Sequence, residues 1–230
     1  MIDKIRAMFT IVQMMITISI IIILMYIFRK NNGKKVRYYW SKMQMKLMGI
    51  KLDIEGEIDN EADMLIINHQ SLLDIIILEY LHKKDLVWVA KKEISNLFLF
   101  GHIIKAPNMI EVERESKTSL VKLLKDVKEQ IKQKRVISIF PEGTRTNGKK
   151  LRKFKVGAKL IAEKNNLNVQ PIIIVGSREI LDSQKIKHKP GVVKIICLPT
   201  VKAERKTTWY EECEKDMNDV LNKNIDKNDI

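Results

Sequence analysis

The chain has 230 residues, 45% of them hydrophobic, and a formal charge of +14 from 42 basic and 28 acidic side chains. That size suits one ordinary domain with an appendage, and the charge draws the protein to polyanions, whether nucleic acid, anionic lipid or phosphorylated small molecules. Its two cysteines, Cys197 and Cys213, have no C-x-x-C spacing and no histidine nearby, which excludes a disulfide framework and a zinc site and reads as reduced thiols in a reducing compartment.

From Ala7 to Phe28 no residue is charged. A helix over residues 9–28 spans roughly 30 Å, the thickness of a bilayer core. Thr10, Gln13, Thr17 and Ser19 are mild polar interruptions. A buried soluble helix usually keeps a polar face, and a cleaved leader is shorter and ends at small residues. The stretch therefore reads as a retained membrane anchor. Arg29, Lys30, Lys34, Lys35 and Arg37 follow it, against Lys4 and Arg6 before it. The positive-inside bias then puts the rest of the chain in the cytoplasm.

Val36, Tyr39, Trp40, Met43 and Leu47 recur next at helical spacing, with Lys42 and Lys46 between them. Two readings stay open. One is a basic amphipathic helix at the headgroup level, its aromatics as anchors. The other is an ordinary surface helix of the domain. In the first case the apolar helix could dip into one leaflet instead of spanning. The expected organisation is a membrane anchor over residues 1–48 and a folded domain over 49–230.

From Gly49 onward strands and helices alternate. Residues 63–68, 85–90, 136–140, 169–175 and 192–198 are short β-rich runs, and residues 51–58 read as an outer strand. Residues 116–134 predict a helix with Leu120, Leu124, Val127 and Ile131 on one face and Ser116 as N-cap. The last 20 residues predict one more helix with a frayed end. The pattern implies an α/β domain with a mostly parallel central sheet flanked by helices. Chemistry in such folds gathers beyond the carboxyl ends of strands. Two polar clusters fall there: "NHQSLLD" (68–74) and "PEGTRTNG" (141–148).

In the first cluster an imidazole, His69, precedes a carboxylate, Asp74, by five positions. That pairing suits general-base chemistry. With 4 histidines and 12 aspartates in the chain, some such match arises by chance about one time in five, so alone it is weak. Asp74 also has a local role open to it. "SLLD" resembles a capping box, Ser71 as N-cap and Asp74 three residues on. No G-x-S-x-G elbow makes Ser71 a nucleophile. In the second cluster, Pro141 ends the strand, Gly143 permits close backbone approach, and Arg145 can grip a phosphate with two parallel N–H bonds. A polar turn with a solvated arginine is the plainer alternative. Arg114, after the strand-like "MIEV", and the basic run Lys149, Lys150, Arg152, Lys153 and Lys155 carry little weight singly.

Taken in order, "NHQSLLD", "NMIEVER", "FPEGTR" and "VQPIIIVG" resemble the four blocks of the glycerolipid acyltransferase family, with "AKKE", Gly101 and "FKVGA" as lesser likenesses. The third block matches in every position, and the resemblance covers about residues 50–200. It implies that His69 is the general base and Asp74 its orienting partner, in direct attack of a glycerol hydroxyl on an acyl thioester. No acyl-enzyme, metal or redox cofactor is implied. Acyl-CoA or acyl carrier protein would bring the acyl group, and 1-acylglycerol 3-phosphate (lysophosphatidic acid) would be the acceptor, giving phosphatidic acid. Another acceptor, glycerol 3-phosphate or a lysophospholipid, is the alternative. Arg114 and Arg145 would bind the acceptor's phosphate, Glu142, Gly143 and Thr144 would shape that site, and Lys105 would add to it. Pro171 would be structural or shape the acyl-chain site. Membrane lipid is the expected surface, and no nucleic-acid signature is visible. Two departures, Asn108 where glycine is common and Glu113 where aspartate is common, bear on the acceptor.

Overall fold

The computed structural model describes residues 2–28, 33–113 and 117–225. Two helices come first, α1 (Ile2–Phe28) and α2 (Gly33–Leu47). The body then runs β1 (Ile50–Glu55), β2 (Met64–Ile67), α3 (Leu73–Leu81), β3 (Leu86–Lys91), α4 (Lys92–Ser95), α5 (Gly101–Lys105), β4 (Ile110–Val112), α6 (Lys117–Lys132) and β5 (Val136–Ile139). It closes with α7 (Val156–Asn165), β6 (Asn168–Val175), α8 (Ser177–Ile180), β7 (Leu181–Asp182), β8 (Lys187–His188), β9 (Gly191–Cys197), β10 (Val201–Lys202) and α9 (Trp209–Ile225).

The main sheet has the order β1-β9-β6-β2-β5-β3-β4, with β10 beside β6. The β6–β9 and β6–β10 pairings are antiparallel, and the others are parallel. All six expected strands are present, and β1 lies at an edge, as its alternation predicts. The two-residue strands β7, β8 and β10 were not expected, being too short to carry a periodic signal.

Central strands are apolar on both faces, as a sheet covered on both sides requires. Along β2, Met64 and Ile66 join one core cluster with Val127, Ile161 and Met217 from α6, α7 and α9. Leu65 and Ile67 join the other with Leu73 and Ile77 from α3. Pro171 is buried in β6, opposite Ile66. It falls between the stretch paired with β10 and the stretch paired with β9, where a missing N–H costs no ladder bond. The expected helix at 116–134 is α6, with Leu120, Leu124, Val127 and Ile131 on the core. Its expected cap, Ser116, lies outside the described residues.

α1 is long and apolar enough to cross a membrane. One face, with Ala7, Thr10, Ile18, Ile21, Ile22 and Met25, is buried, and contacts tie it to the body at both ends. Thr10 Oγ1 lies 2.9 Å from His188 Nδ1 and Tyr26 Oη 2.8 Å from His102 Nδ1. The opposite face, including Phe9, Ile16, Ile20, Ile23 and Ile27, is exposed. α2 packs a mixed face inward, Met45 with Val36 and Trp40 beside polar groups, and leaves Lys35, Lys42 and Lys46 exposed. Arg37, Ser41 and Gln44 are buried while Tyr39, Met43 and Leu47 are exposed. Arg37 bonds Glu79 at 3.1 Å and also reaches Asp85. Burial draws the Arg37 guanidinium down, but those two carboxylates outweigh it and hold it above its ordinary value.

Candidate active site

Three neighbouring parallel strands, β6, β2 and β5, end on the same edge of the sheet. The chain leaves β2 through Asn68 and His69, β5 through Phe140, and β6 through Gly176 and Ser177. Segments more than 70 residues apart in sequence are thereby brought to one place.

Asn68 extends the ladder by one side chain. Its Nδ2 donates to the Ile174 carbonyl at 2.9 Å and its Oδ1 accepts the Ile174 N–H at 2.7 Å. The residue that follows is fixed relative to β6. His69 Nδ1 then lies 2.8 Å from Asp74 Oδ2. That oxygen also accepts the backbone N–H of Gln70 at 2.7 Å and of Ser71 at 2.9 Å. The other oxygen, Oδ1, accepts the Ser177 hydroxyl at 2.6 Å. Both Asp74 and Ser177 are fully buried. With Asp74 accepting, the imidazole proton sits on Nδ1 and Nε2 keeps a free lone pair.

The capping reading of "SLLD" and the pairing reading of Asp74 are both realised. Leu72 already has helical dihedrals, φ −63° and ψ −24°, so the cap is one residue earlier. Ser71 Oγ accepts the Leu73 N–H at 3.3 Å while Asp74 accepts the Ser71 N–H. Ser71 also donates to the Leu181 carbonyl at 2.7 Å, which anchors the β7–β8 hairpin to the site.

The 140–146 turn grips His69 on several sides. The Phe140 ring stacks on the imidazole, centroids 3.7 Å apart and planes 11° from parallel, and Trp88 stacks on Phe140 in turn. Glu142 Oε1 accepts the His69 backbone N–H at 2.8 Å, and the Thr146 N–H donates to the His69 carbonyl at 2.8 Å. The imidazole keeps 14% of its side-chain exposure, so the ring is held yet reachable. Gly143 closes the turn at φ 72°, a left-handed conformation that favours glycine.

Glu142, expected to shape the phosphate site, is buried in the turn, its second oxygen accepting the Arg152 N–H at 2.7 Å. It braces His69 from behind. Burial raises its carboxyl to about 7, Asp74's charge adds to the rise, and the two N–H bonds oppose it. Thr144 and Arg145 are exposed on the outer half of the turn. Arg145 Nη1 donates to Ser183 Oγ on the hairpin at 2.8 Å. Arg114 lies outside the described residues. Lys105 is exposed at the end of α5, and among the described residues no hydrogen bond or ion pair ties its side chain to His69, Asp74 or the turn. Asn108 has φ 55°, the conformation for which glycine is common at that place and which asparagine tolerates.

Sequence reasoning missed Ser177 and Phe140. Ser177 has no motif around it and meets Asp74 from 103 residues away. Phe140 stands first in "FPEGTR", and an aromatic next to a catalytic-type turn was the available signal.

A family model described as Acyltransferase matches residues 51–175, more than half of the chain, including His69, Asp74 and the 140–146 turn. The chain belongs to the acyltransferase family. Among its relatives, the 1-acyl-sn-glycerol-3-phosphate acyltransferase of Helicobacter pylori strain J99 is 37% identical over 94% of this chain and 92% of its own. The enzyme of that name from Cocos nucifera is 29% identical over 80% of this chain and 59% of its own. This acyltransferase also shares its fold with the crystal structure of the 1-acyl-sn-glycerophosphate acyltransferase of Thermotoga maritima. The TM-score is 0.76, covering 98% of this chain and 95% of that one at 19% identity.

Proposed function

We propose that His69 and Asp74 are the general base and its orienting carboxylate in this acyltransferase. The protein is a 1-acyl-sn-glycerol-3-phosphate acyltransferase and forms phosphatidic acid. His69 Nε2 takes the proton of the acceptor's sn-2 hydroxyl. The oxygen attacks the thioester carbonyl of acyl-CoA or acyl carrier protein, and a tetrahedral oxyanion forms. Its collapse forms the ester, breaks the C–S bond and releases a thiolate, which the imidazolium protonates. Asp74 stabilises the imidazolium and keeps Nε2 aimed outward. Arg145, with Arg114, binds the acceptor's phosphate. The observation that carries this reading is the His69–Asp74 bond, with Phe140 and Glu142 of the third block holding the histidine and Ser177 holding the aspartate.

The apolar outer face of α1, with the mixed outer face of α2 where Tyr39, Met43 and Leu47 alternate with Lys35, Lys42 and Lys46, sets the enzyme on a membrane. Since α1 packs along the body instead of standing clear of it, it lies within one leaflet, and the body faces the cytoplasm. Confinement to a surface raises the effective concentration of both lipid substrates.

The test is an assay of purified full-length protein with radiolabelled lysophosphatidate and acyl-CoA, run beside His69→Ala and an acceptor panel. Loss of about 10²–10⁴ in rate is expected for the variant. Retention of most activity would sink the mechanism, and a preference for another lysolipid or glycerol 3-phosphate would reassign the acceptor.

A further inference from the structure

The crossover from β3 to β4 carries an apolar tip. Phe98 is 95% exposed and Leu97 52%, and Ile94 and Phe100 are exposed beside them. Solvent-facing side chains of this size, clustered within seven residues, mark a surface that is covered in use. The tip is not a loose tail. The Gly101 N–H donates to the Leu97 carbonyl at 2.8 Å. A Cβ on Gly101 would lie 2.1 Å from the Ser95 carbonyl oxygen, so the loop is drawn shut by a residue that only glycine can supply. Phe98 is thus presented by a closed turn.

What covers the tip follows from its neighbours. Leu99 and Ile103, between and just after the exposed residues, pack into the cluster formed by Ile18, Ile21, Ile22 and Met25 of α1. The tip is therefore seated against the inward face of α1 and lies beside that helix, whose other face is exposed and apolar. Lys91, Lys92 and Lys105 flank it and are exposed, against Glu93 beside them and Glu113, which pairs with Lys92 at 3.2 Å. Aromatic and aliphatic tips with a basic collar fit an interface of acyl chains below and anionic headgroups above.

We propose that residues 94–100 insert into the membrane as a second contact, independent of α1 in sequence and adjacent to it in space. β3 lies beside β5, whose end carries the turn that holds His69. Two separated contacts fix the tilt of the body, which one helix alone leaves free, and so set the height of His69 above the lipid. This inference rests on the membrane reading of α1 given above.

The experiment uses full-length protein with an environment-sensitive fluorophore on a single new cysteine. The native Cys197 and Cys213 are buried and do not compete for label. Sites are Phe98→Cys, Phe9→Cys on the outer face of α1, and Lys215→Cys on α9 as a solvent control. Vesicles of phosphatidylcholine and phosphatidylglycerol carry a spin-label quencher on the acyl chains. Quenching at 98 and 9 but not at 215 is expected. Quenching at 9 alone overturns the second contact and leaves the membrane reading of α1 standing, while quenching at neither overturns both. Phe98→Asp separates surface from pocket. It should raise the apparent KM for bilayer-borne lysophosphatidate about ten-fold and leave that for a water-soluble short-chain acceptor unchanged. Equal loss on both acceptors would make Phe98 part of the substrate site and overturn the proposal.

Discussion

The two halves of the 140–146 turn face opposite ways. Phe140 and Glu142 point inward, one stacked on the His69 ring and the other holding its backbone N–H. Thr144 and Arg145 point outward, toward the hairpin and solvent. Phe140 to Arg145 thus split between holding the His69 side of the turn and facing solvent. The contrast predicts that inner substitutions change kcat and outer ones change KM, since only the former act on the reacting geometry.

The severest break is Glu142→Gln. The amide can accept at its oxygen, but its nitrogen has no lone pair for the second backbone N–H, so the hold on His69 or on Arg152 is lost. A displacement of that kind costs about 10²-fold in kcat, with acceptor KM unchanged in a steady-state assay. The same variant alters the response of stability to pH. In the folded protein Glu142 titrates at about 7, against 4.5 for an unperturbed carboxyl. Its contribution is complete below the lower value and lost as pH rises through the upper one. The melting temperature of the native protein should fall from about pH 5 to about pH 7.5 relative to that of Glu142→Gln. Parallel curves would remove Glu142 from the titration.

Ser177→Ala tests the far side of the pair. Losing a hydrogen bond to a charged group should cost about ten-fold in kcat. Ser177→Thr restores the hydroxyl and should restore the rate, with acceptor KM level in both variants. A loss that threonine does not rescue would make Ser177 a packing residue. The mildest change is Arg145→Ala, expected to raise the acceptor KM several-fold, on the scale of one exposed charge-assisted contact. Donor KM and kcat stay level. An unchanged acceptor KM would take Arg145 out of the phosphate site.

Much of this was legible in the sequence because apolar periodicity and strand-end position are local. The patterns for β2, β3, β5, β6 and β9 lie within a residue or two of the strands, and both polar clusters fall at strand ends. What could not be read was side-chain direction and long-range adjacency. Glu142 sits in a recognisable block, but nothing local says that its carboxylate turns inward. Ser177 reaches Asp74 only because β6 and β2 pair. α2 and α6 make the same point at the scale of a helix. Both are amphipathic, yet α6 buries its leucines and α2 buries Arg37, Ser41 and Gln44. A helical moment locates an interface without saying which side of it is the core.

The buried polar contacts of α2 have a consequence for how this enzyme can be taken apart. Glu79 is buried, bonded by Arg37, approached by Lys34 at 3.7 Å and held by the Trp88 indole at 3.0 Å. Cutting the chain after α2 would remove the two cations and strand the carboxylate, a cost of several kcal/mol for a buried charge left unpaired. A cut before Gly33 spares them. The address label and the machine share a keystone, so a water-soluble descendant could shed its first helix but would have to keep its second, greasy side and all.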